Sequence, residues 1–321
     1  MSEKFIVTGG AGFIGSNLVA ALNARGEDDI LLVDELATDE KWKNLKGLRF
    51  TDYWEKDDFR FHLRNDTLGE VNAVFHLGAC SSTTEKNASF LADNNYRFTR
   101  ELCEWCLNHD IRFIYASSAA TYGDGSQGYS DSDDVTPTLQ PLNMYGYSKQ
   151  MFDAWALRQG LFGRIAGIKY FNVYGRNEDH KGDMRSVVNK AYGQVLQAGE
   201  VKLFKSYKPE YKDGEQVRDF VFIDDAVAMT LFLFDQGVSG LFNGGTGESR
   251  TWNDLANAVF KAMGREPKIV YIDMPESLRE KYQYHTQADM AKLREAGYDQ
   301  EFTLLEDGVR KYVTEYLAVA R

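Results

Sequence analysis

Phe5-Ile6-Val7-Thr8-Gly9-Gly10-Ala11-Gly12-Phe13-Ile14-Gly15-Ser16-Asn17 sets a glycine-spaced turn between a short apolar run and a helix-forming segment. Glycine at positions 9, 12 and 15 lets the chain turn tightly, bring backbone amides against an anion and pack helix close to strand. The spacing predicts a strand over residues 5–7 and a helix over 13–24, whose unpaired N-terminal amides and positive dipole end face phosphate. A glycine triplet also serves purely structural turns. The dinucleotide reading gains from the next apolar run, Ile30-Leu31-Leu32-Val33, which ends in Asp34 near the spacing at which an acid meets the adenosine ribose.

Working outward, strand-like runs at 5–7, 30–33, 73–76, 113–116 and 165–170 alternate with segments of helical spacing at 17–24, 90–108 and 145–159. This alternation predicts an α/β fold, a doubly wound, Rossmann-like parallel sheet with helices on both faces and a smaller C-terminal substrate-binding domain. After Tyr174 the pattern loosens, and the charged, glycine-containing stretches 177–183 and 207–215 read as loops over a ligand. Residues 219–223, the helical 224–234 and the strand-like 240–243 read as further sheet elements, so the domain boundary is expected to be discontinuous. The dinucleotide domain then takes residues 1–174 with returning segments about 218–245 and 284–292. The substrate domain takes about 175–217, 246–283 and 293–321, with an amphipathic helix over 304–317.

A chain of 321 residues with 43% hydrophobic content supports a well-buried core. Its longest apolar run, 226–234, falls short of the roughly 20 residues a membrane helix needs, so no membrane partner is expected. A net charge of −11 argues against a nucleic-acid partner, which requires a concentrated basic surface. Lys4 ahead of an apolar stretch mimics a signal peptide, but glycines break it, and three cysteines, an odd count, fit a reducing compartment. A cytoplasmic protein is expected, with Cys103 and Cys106 as buried thiols on one helix face. The five histidines show no HxxH or HExxH spacing, and no CxxC pair is matched by another, so no metal site is expected.

Chemistry concentrates in Asn143-Met144-Tyr145-Gly146-Tyr147-Ser148-Lys149, where Tyr145 and Lys149 stand four apart on one helix face. A phenol titrating near ~10 is a poor base at neutral pH, and a neighbouring ammonium favours its phenolate. Lys149 is thus expected to activate Tyr145 and to hold the nicotinamide ribose. Such pairs also arise by chance on helices, but here the strand 113–116 runs into Ser117-Ser118-Ala119-Ala120-Thr121-Tyr122-Gly123. That places hydroxyls at the carboxyl end of a sheet strand, where Ser118 is suited to hydrogen-bond a reacting oxygen.

The glycine turn, Ser118, and Tyr145 with Lys149, in that order, resemble the extended short-chain dehydrogenase/reductase family. The runs Gly78-Ala79-Cys80-Ser81-Ser82-Thr83-Thr84-Glu85, Tyr170-Phe171-Asn172-Val173-Tyr174-Gly175 and His180-Lys181-Gly182 resemble its sugar-nucleotide epimerases, and the likeness extends over essentially the whole chain. The resemblance implies an isomerase that inverts C6 of an ADP-heptose through a transient ketone, using tightly bound NADP, with NAD as the alternative. It implies Lys181 as a second catalytic acid/base beside Tyr145; on its own, a lysine in a charged loop reads as a solvated side chain. Implied cofactor contacts are Gly9, Gly12, Phe13, Ile14, Gly15, Asp34, Glu35, Lys41, Lys56, Leu77, Gly78, Ala79, Cys80, Ser81, Asn94, Lys149, Val173 and Lys181. Implied substrate contacts are Ser118, Asn172, Asp183, Lys190, Phe204, Lys205, Ser206, Tyr207, Arg218 and Tyr282.

Arg218 has its own physical case, because a guanidinium fork suits a diphosphate; an ion pair with Asp219 or a nearby acid is the alternative. At the cofactor's far end Asp34 suits a ribose hydroxyl, hence NAD, whereas Lys41 and Lys56 suit a 2′-phosphate, hence NADP. Two positions depart from the family pattern: Glu35 replaces a familiar asparagine and should repel a phosphate, and Asp183 replaces a familiar serine. Dehydratases of the family carry an Asp-Glu pair where this chain has Ala119-Ala120, which disfavours elimination. Another nucleotide-sugar epimerase, such as a UDP-hexose 4-epimerase, and a non-catalytic nicotinamide-sensing protein are the rival readings. The resemblance also implies a homo-oligomer, a pentamer among the options, and a place in lipopolysaccharide core biosynthesis.

Overall fold

Strand β1 (Phe5–Thr8) is buried along its whole length, as a strand covered by helices on both faces must be. The structure, a computed structural model, describes residues 3–279 and 282–319. In chain order the remaining strands are β2 (Ile30–Asp34), β3 (Asp52–Glu55), β4 (Ala73–His76), β5 (Arg112–Ser118), β6 (Ala166–Tyr170), β7 (Asn172–Tyr174), β8 (Val201–Phe204), β9 (Val217–Phe222), β10 (Gly240–Gly244), β11 (Ser249–Thr251) and β12 (Ile269–Ile272). Seven of them form one sheet, ordered β10-β6-β5-β4-β1-β2-β3, and every pairing in it is parallel. The chain leaves β1 toward β2 and β3, then crosses back to place β4 on the other side of β1. That reversal opens a crevice at the carboxyl ends of β1 and β4, the usual ligand position in such sheets.

The main helices are α1 (Phe13–Ala24), α2 (Lys56–Arg64), α3 (Ala88–Leu91), α4 (Phe98–Asn108), α5 (Met144–Arg158), α6 (Val187–Ala198), α7 (Ile223–Asp235) and α8 (Trp252–Ala262). Because side chains alternate along a strand, Phe5 and Val7 join a core with α1 and α7, while Ile6 joins a second core with α2, α4 and α5. Cys103 and Cys106 lie in the second core, and burial pushes the Cys103 thiol up to about 12. Among the described residues no helix is long and apolar enough to cross a membrane.

Several elements differ from the sequence expectation. Residues 219–223 do not extend the main sheet: β9 pairs with β7 and β11 in a separate three-stranded sheet, and β12 pairs with β8 in a two-stranded one. Part of the stretch expected as a loop at 177–183 is a short 3-10 segment, Asp179–Met184, broken at Gly182 with φ 53°. The helix expected over 90–108 contains a π-helical stretch, Ala92–Arg97. Leu305–Lys311 likewise continues as a π-helical stretch, Tyr312–Leu317.

Candidate active site

The site forms where β1, β4 and β5 end. Gly9 follows β1 at φ +70°, and a Cβ there would lie 2.6 Å from the Gly78 amide nitrogen, so the turns after β1 and β4 approach too closely for a side chain. A Cβ at Gly15 would run into the Gly9 carbonyl. Gly12 caps α1 with no side-chain hydrogen bond, which leaves the first amides of the helix as donors for an anion. Asp34 closes β2: its Oδ2 accepts from the Ala11 amide at 2.9 Å, and its Oδ1 accepts from the Glu35 amide at 2.8 Å and from Lys41 Nζ at 3.1 Å. Lys56 Nζ lies 2.7 Å from Glu35 Oε2 and donates to Asn94 Oδ1 at 3.1 Å. Lys56 thereby holds the Glu35 carboxyl below its ordinary range.

The loop after β4, residues 77–81, is held partly by groups that motif spacing did not single out. Thr8 Oγ1 accepts from the Gly78 amide at 3.1 Å. Asn95 Oδ1 accepts from the Cys80 amide at 2.9 Å, while its Nδ2 donates to the Cys80 carbonyl at 2.9 Å and to Ser148 Oγ at 3.0 Å. Asn94 and Asn95 are both buried on the π-helical stretch, a distortion that often marks functional positions. The available signal for Asn95 was the adjacent asparagine pair within a helical segment, since a buried amide needs partners.

Ser118 ends β5; its Oγ accepts from the Ala120 amide at 3.1 Å, and it lines the same cleft as Tyr145. Tyr145 opens α5, whose cap Asn143 accepts from the Gly146 amide at 2.8 Å. One turn on, Lys149 is buried and its Nζ donates to the Ala116 carbonyl at 2.7 Å. Burial brings Lys149 down to about 8, with Asp153 opposing the shift. The expected lowering of Tyr145 is corrected here: burial pushes the phenol up, Ser118 partly offsets it, and the Lys149 ammonium engages a strand carbonyl instead.

Lys181 enters from a different element, the 3-10 segment, with Nζ 5.3 Å from the centre of the Phe13 ring. Burial lowers its titration and Glu178 opposes that. The preceding loop is pinned to the glycine turn: Asn177 Nδ2 donates to Ser16 Oγ at 3.0 Å, and Asn44 Nδ2 donates to the carbonyls of Ala11 at 2.9 Å and Asn177 at 3.1 Å. Ser118, Tyr145, Lys149, Asn172, Val173 and Lys181 thus share one cleft of about 590 Å³ with the three glycines, Phe13, Ile14, Asp34, Lys41 and residues 77–81. Glu35, Lys56 and Asn94 line an adjoining pocket of about 260 Å³.

The remaining expected substrate residues do not line this cleft: Asp183, Lys190, Phe204, Lys205, Ser206, Tyr207, Arg218 and Tyr282. Arg218 is buried, 5.5 Å from the Trp252 ring and 5.2 Å from the Tyr282 ring, and donates to the carbonyls of Val217 and Gln283. Its alternative role as an ion-pair partner of Asp219 is corrected, because that carboxylate accepts instead from Thr246, Gly247 and Ala288. Trp252, which motif spacing also missed, lines the cleft itself and donates to the Tyr282 hydroxyl at 2.8 Å. The arrangement offers a crevice faced by free helix amides, the Ser118 hydroxyl, and two titratable side chains, Tyr145 and Lys181, carried by separate elements.

Residues 5–245 match the model of the NAD dependent epimerase/dehydratase family. A curated protein of Nitratidesulfovibrio vulgaris strain Hildenborough, ADP-L-glycero-D-manno-heptose-6-epimerase, is 58% identical over 98% of both chains. The protein of that name from Fusobacterium nucleatum is 47% identical, also over 98% of both. Among solved structures, the Helicobacter pylori ADP-L-glycero-D-manno-heptose-6-epimerase superposes with a TM-score of 0.82 at 28% identity, covering 99% of this chain and 98% of that one. UDP-glucose 4-epimerase of Thermotoga maritima superposes with a TM-score of 0.80 at 26% identity, covering 99% and 100%. With its glycine turn, parallel sheet and paired sequence matches, the chain belongs to the NAD dependent epimerase/dehydratase family.

Proposed function

We propose that the chain inverts C6 of ADP-D-glycero-D-manno-heptose to give ADP-L-glycero-D-manno-heptose, through a transient ketone, with a nicotinamide dinucleotide retained throughout. Curated relatives at 47–58% identity over nearly full length carry that activity in their names. The observation that carries the mechanism is that Tyr145 on α5 and Lys181 on the 3-10 segment reach one cleft. The glycine cradle and the free amides of α1 fit a pyrophosphate, Asp34 fits the adenosine ribose, and Lys149 fits the nicotinamide ribose. The bound nicotinamide supplies the chemistry of accepting a hydride and returning it.

As the C6 hydroxyl is oxidised, one of Tyr145 and Lys181 takes its proton, with Ser118 hydrogen-bonded to the same oxygen. As the ketone is reduced from its other face, the second group delivers a proton to the oxygen in its new position. Two groups on different elements answer the need to serve an oxygen on both sides of the carbon. Elimination is disfavoured by Ala119 and Ala120, which carry no acid for it.

The cofactor is proposed to be NADP, held at its 2′-phosphate by Lys41 and Lys56, with Glu35 yielding Lys56 on binding. The substrate diphosphate is proposed to draw on Arg218, behind Trp252, with Asp183, Lys190, residues 204–207 and Tyr282 contributing as that side adjusts to the ligand. The discontinuous two-domain division, a homo-oligomer such as a pentamer, and a cytoplasmic location belong to the same reading. Incubating the protein with ADP-D-glycero-D-manno-heptose and following C6 by NMR tests it; turnover of UDP-glucose at C4 with no change at C6 would replace it with the rival epimerase.

A further inference from the structure

Glu178 is a carboxylate only 1% exposed, and neither the cofactor cradle nor the proton-transfer pair explains it. Its Oε2 accepts from the Ser186 amide at 2.5 Å and its Oε1 from the Ser186 hydroxyl at 2.6 Å. Ser186 is the N-cap of α6, its Oγ accepting from the Asn189 amide at 3.2 Å. The Glu178 carbonyl also accepts from the Lys181 amide at 3.0 Å. One residue therefore closes the base of the 178–186 loop through its side chain and starts the turn bearing Lys181 through its backbone. Gly182, at φ +53° with open space around it, lets the chain reverse immediately after Lys181.

An apolar or amide side chain can brace a loop, so a buried carboxylate calls for a reason to keep the charge. Burial drives Glu178 toward its neutral form, which two hydrogen bonds from Ser186 and the nearby Lys181 oppose. Burial likewise drives Lys181 toward its neutral form, and Glu178 is what opposes it. Other charged or titratable groups around the loop are Asp179 and His180 within it, Asp34, Asp39 and Lys41 across the cleft, Arg185 on the return of the loop, and Tyr312 and Tyr316 behind Glu178 and Asp179. Tyr145 and Lys149 face the same cleft from α5.

We propose that Glu178 is a positioning residue for the reaction, tying the base of the Lys181 loop to the N-terminus of α6 through a buried carboxylate and so holding Lys181 in the cleft. The inference rests on the reading of Lys181 as an acid/base. Glu178→Gln keeps the shape and a hydrogen-bonding side chain while deleting the charge, whereas Ser186→Ala keeps the carboxylate and removes one of its two hydrogen bonds from Ser186.

The test measures kcat against pH for epimerisation in both directions, by NMR, on the cofactor-loaded parent and the two variants. With Glu178→Gln the limb that reports Lys181 is expected to move to lower pH, by about one unit at most, because loss of a nearby opposite charge disfavours the ammonium. Ser186→Ala is expected to lower kcat and, because the Ser186 hydroxyl helps to keep Glu178 ionised, to move the limb in the same direction by less. A Glu178→Gln profile of parental shape, reduced only in height, overturns the electrostatic role. Should that variant not fold, Glu178→Asp, which withdraws the carboxylate by one methylene, and Ser186→Ala decide, and parental kcat in both overturns the proposal. Lys181→Ala, run alongside, separates the two ideas. Full activity there removes the acid/base reading itself, while its loss beside an unmoved Glu178→Gln limb removes only the role of Glu178.

Discussion

Lys149 Nζ donates to the Ala116 carbonyl at 2.7 Å from a side chain that is 5% exposed, so the cleft holds an ammonium taken almost wholly out of water. Its titration falls from 10.5 to about 8 as a result. The unfolded chain binds this proton more tightly, so burial costs stability below the folded value, and the cost fades as pH rises toward the unfolded one. Lys149→Met is therefore expected to stabilise the cofactor-free protein at pH 7 by about 1–2 kcal/mol, part of the gain being lost because the Ala116 carbonyl loses its donor. The advantage should shrink by pH 10 while turnover disappears, the familiar opposition of stability and activity. Denaturant titrations of both proteins at the two pH values measure it, and a less stable variant at pH 7 contradicts the burial argument.

The two proposed proton-transfer groups make separate demands. Tyr145→Phe and Lys181→Ala are each expected to lower kcat by about 10²–10⁴, the usual contribution of a positioned acid or base, with cofactor still bound. Inversion at C6 by NMR and cofactor retention by absorbance provide the two readouts. If Lys181→Ala turned over within about threefold of the parent, a factor worth less than 1 kcal/mol, the two-group mechanism would have to be abandoned.

Local chemistry made much of this site legible in advance. The glycine turn, Asp34, Ser118 and the Tyr145–Lys149 pair declare themselves because each is a fixed spacing on one element, and the structure brings them to one crevice. What stayed hidden depends on partners distant in sequence. Asn95 acquires its role by meeting Cys80 and Ser148, and Trp252 by standing between Arg218 and the cleft. Strand β3 was missed because Asp52-Tyr53-Trp54-Glu55 lies at the sheet edge, where polar ends and partial exposure erase the apolar run. Residues 219–223 look strand-like in sequence, yet which sheet a strand joins is decided by its neighbours, here β7 and β11.

At the proposed 2′ end of the cofactor the charges already balance: Asp34 pairs with Lys41 at 3.1 Å and Glu35 with Lys56 at 2.7 Å. A 2′-phosphate must compete with Glu35 for Lys56. Glu35→Asn is expected to tighten NADPH by about tenfold, near 1.4 kcal/mol, with little effect on NADH. Lys56→Met should weaken NADPH by a similar factor. Fluorescence titration of the cofactor-stripped protein with each dinucleotide gives both ratios, and equal effects on NADH and NADPH in either variant would show that this pair does not read the phosphate.

Behind Ser118, Asp153 and Lys169 form an ion pair with Lys169 Nζ 3.7 Å from Asp153 Oδ2, both side chains wholly buried. Asp153 also accepts from Tyr115 at 2.8 Å and Ser117 at 2.6 Å, and Lys169 donates to Thr121 at 3.0 Å. Such a pair is costly to break from one side and much less costly to remove whole. Lys169→Met alone should destabilise by about 3–5 kcal/mol, since it strands a carboxylate where water cannot reach, and Asp153→Asn alone should strand the ammonium at similar cost. The double variant is expected to recover at least half of that loss, which denaturant titration of the three proteins measures. Strict additivity of the two losses would mean that the charges do not act on one another. Because Asp153 lies one turn below Lys149 on α5 and opposes its loss of a proton, the double variant should still lose activity at a lower pH than the parent. Stability regained without the parental pH profile would separate what this pair does for the fold from what it does for the site.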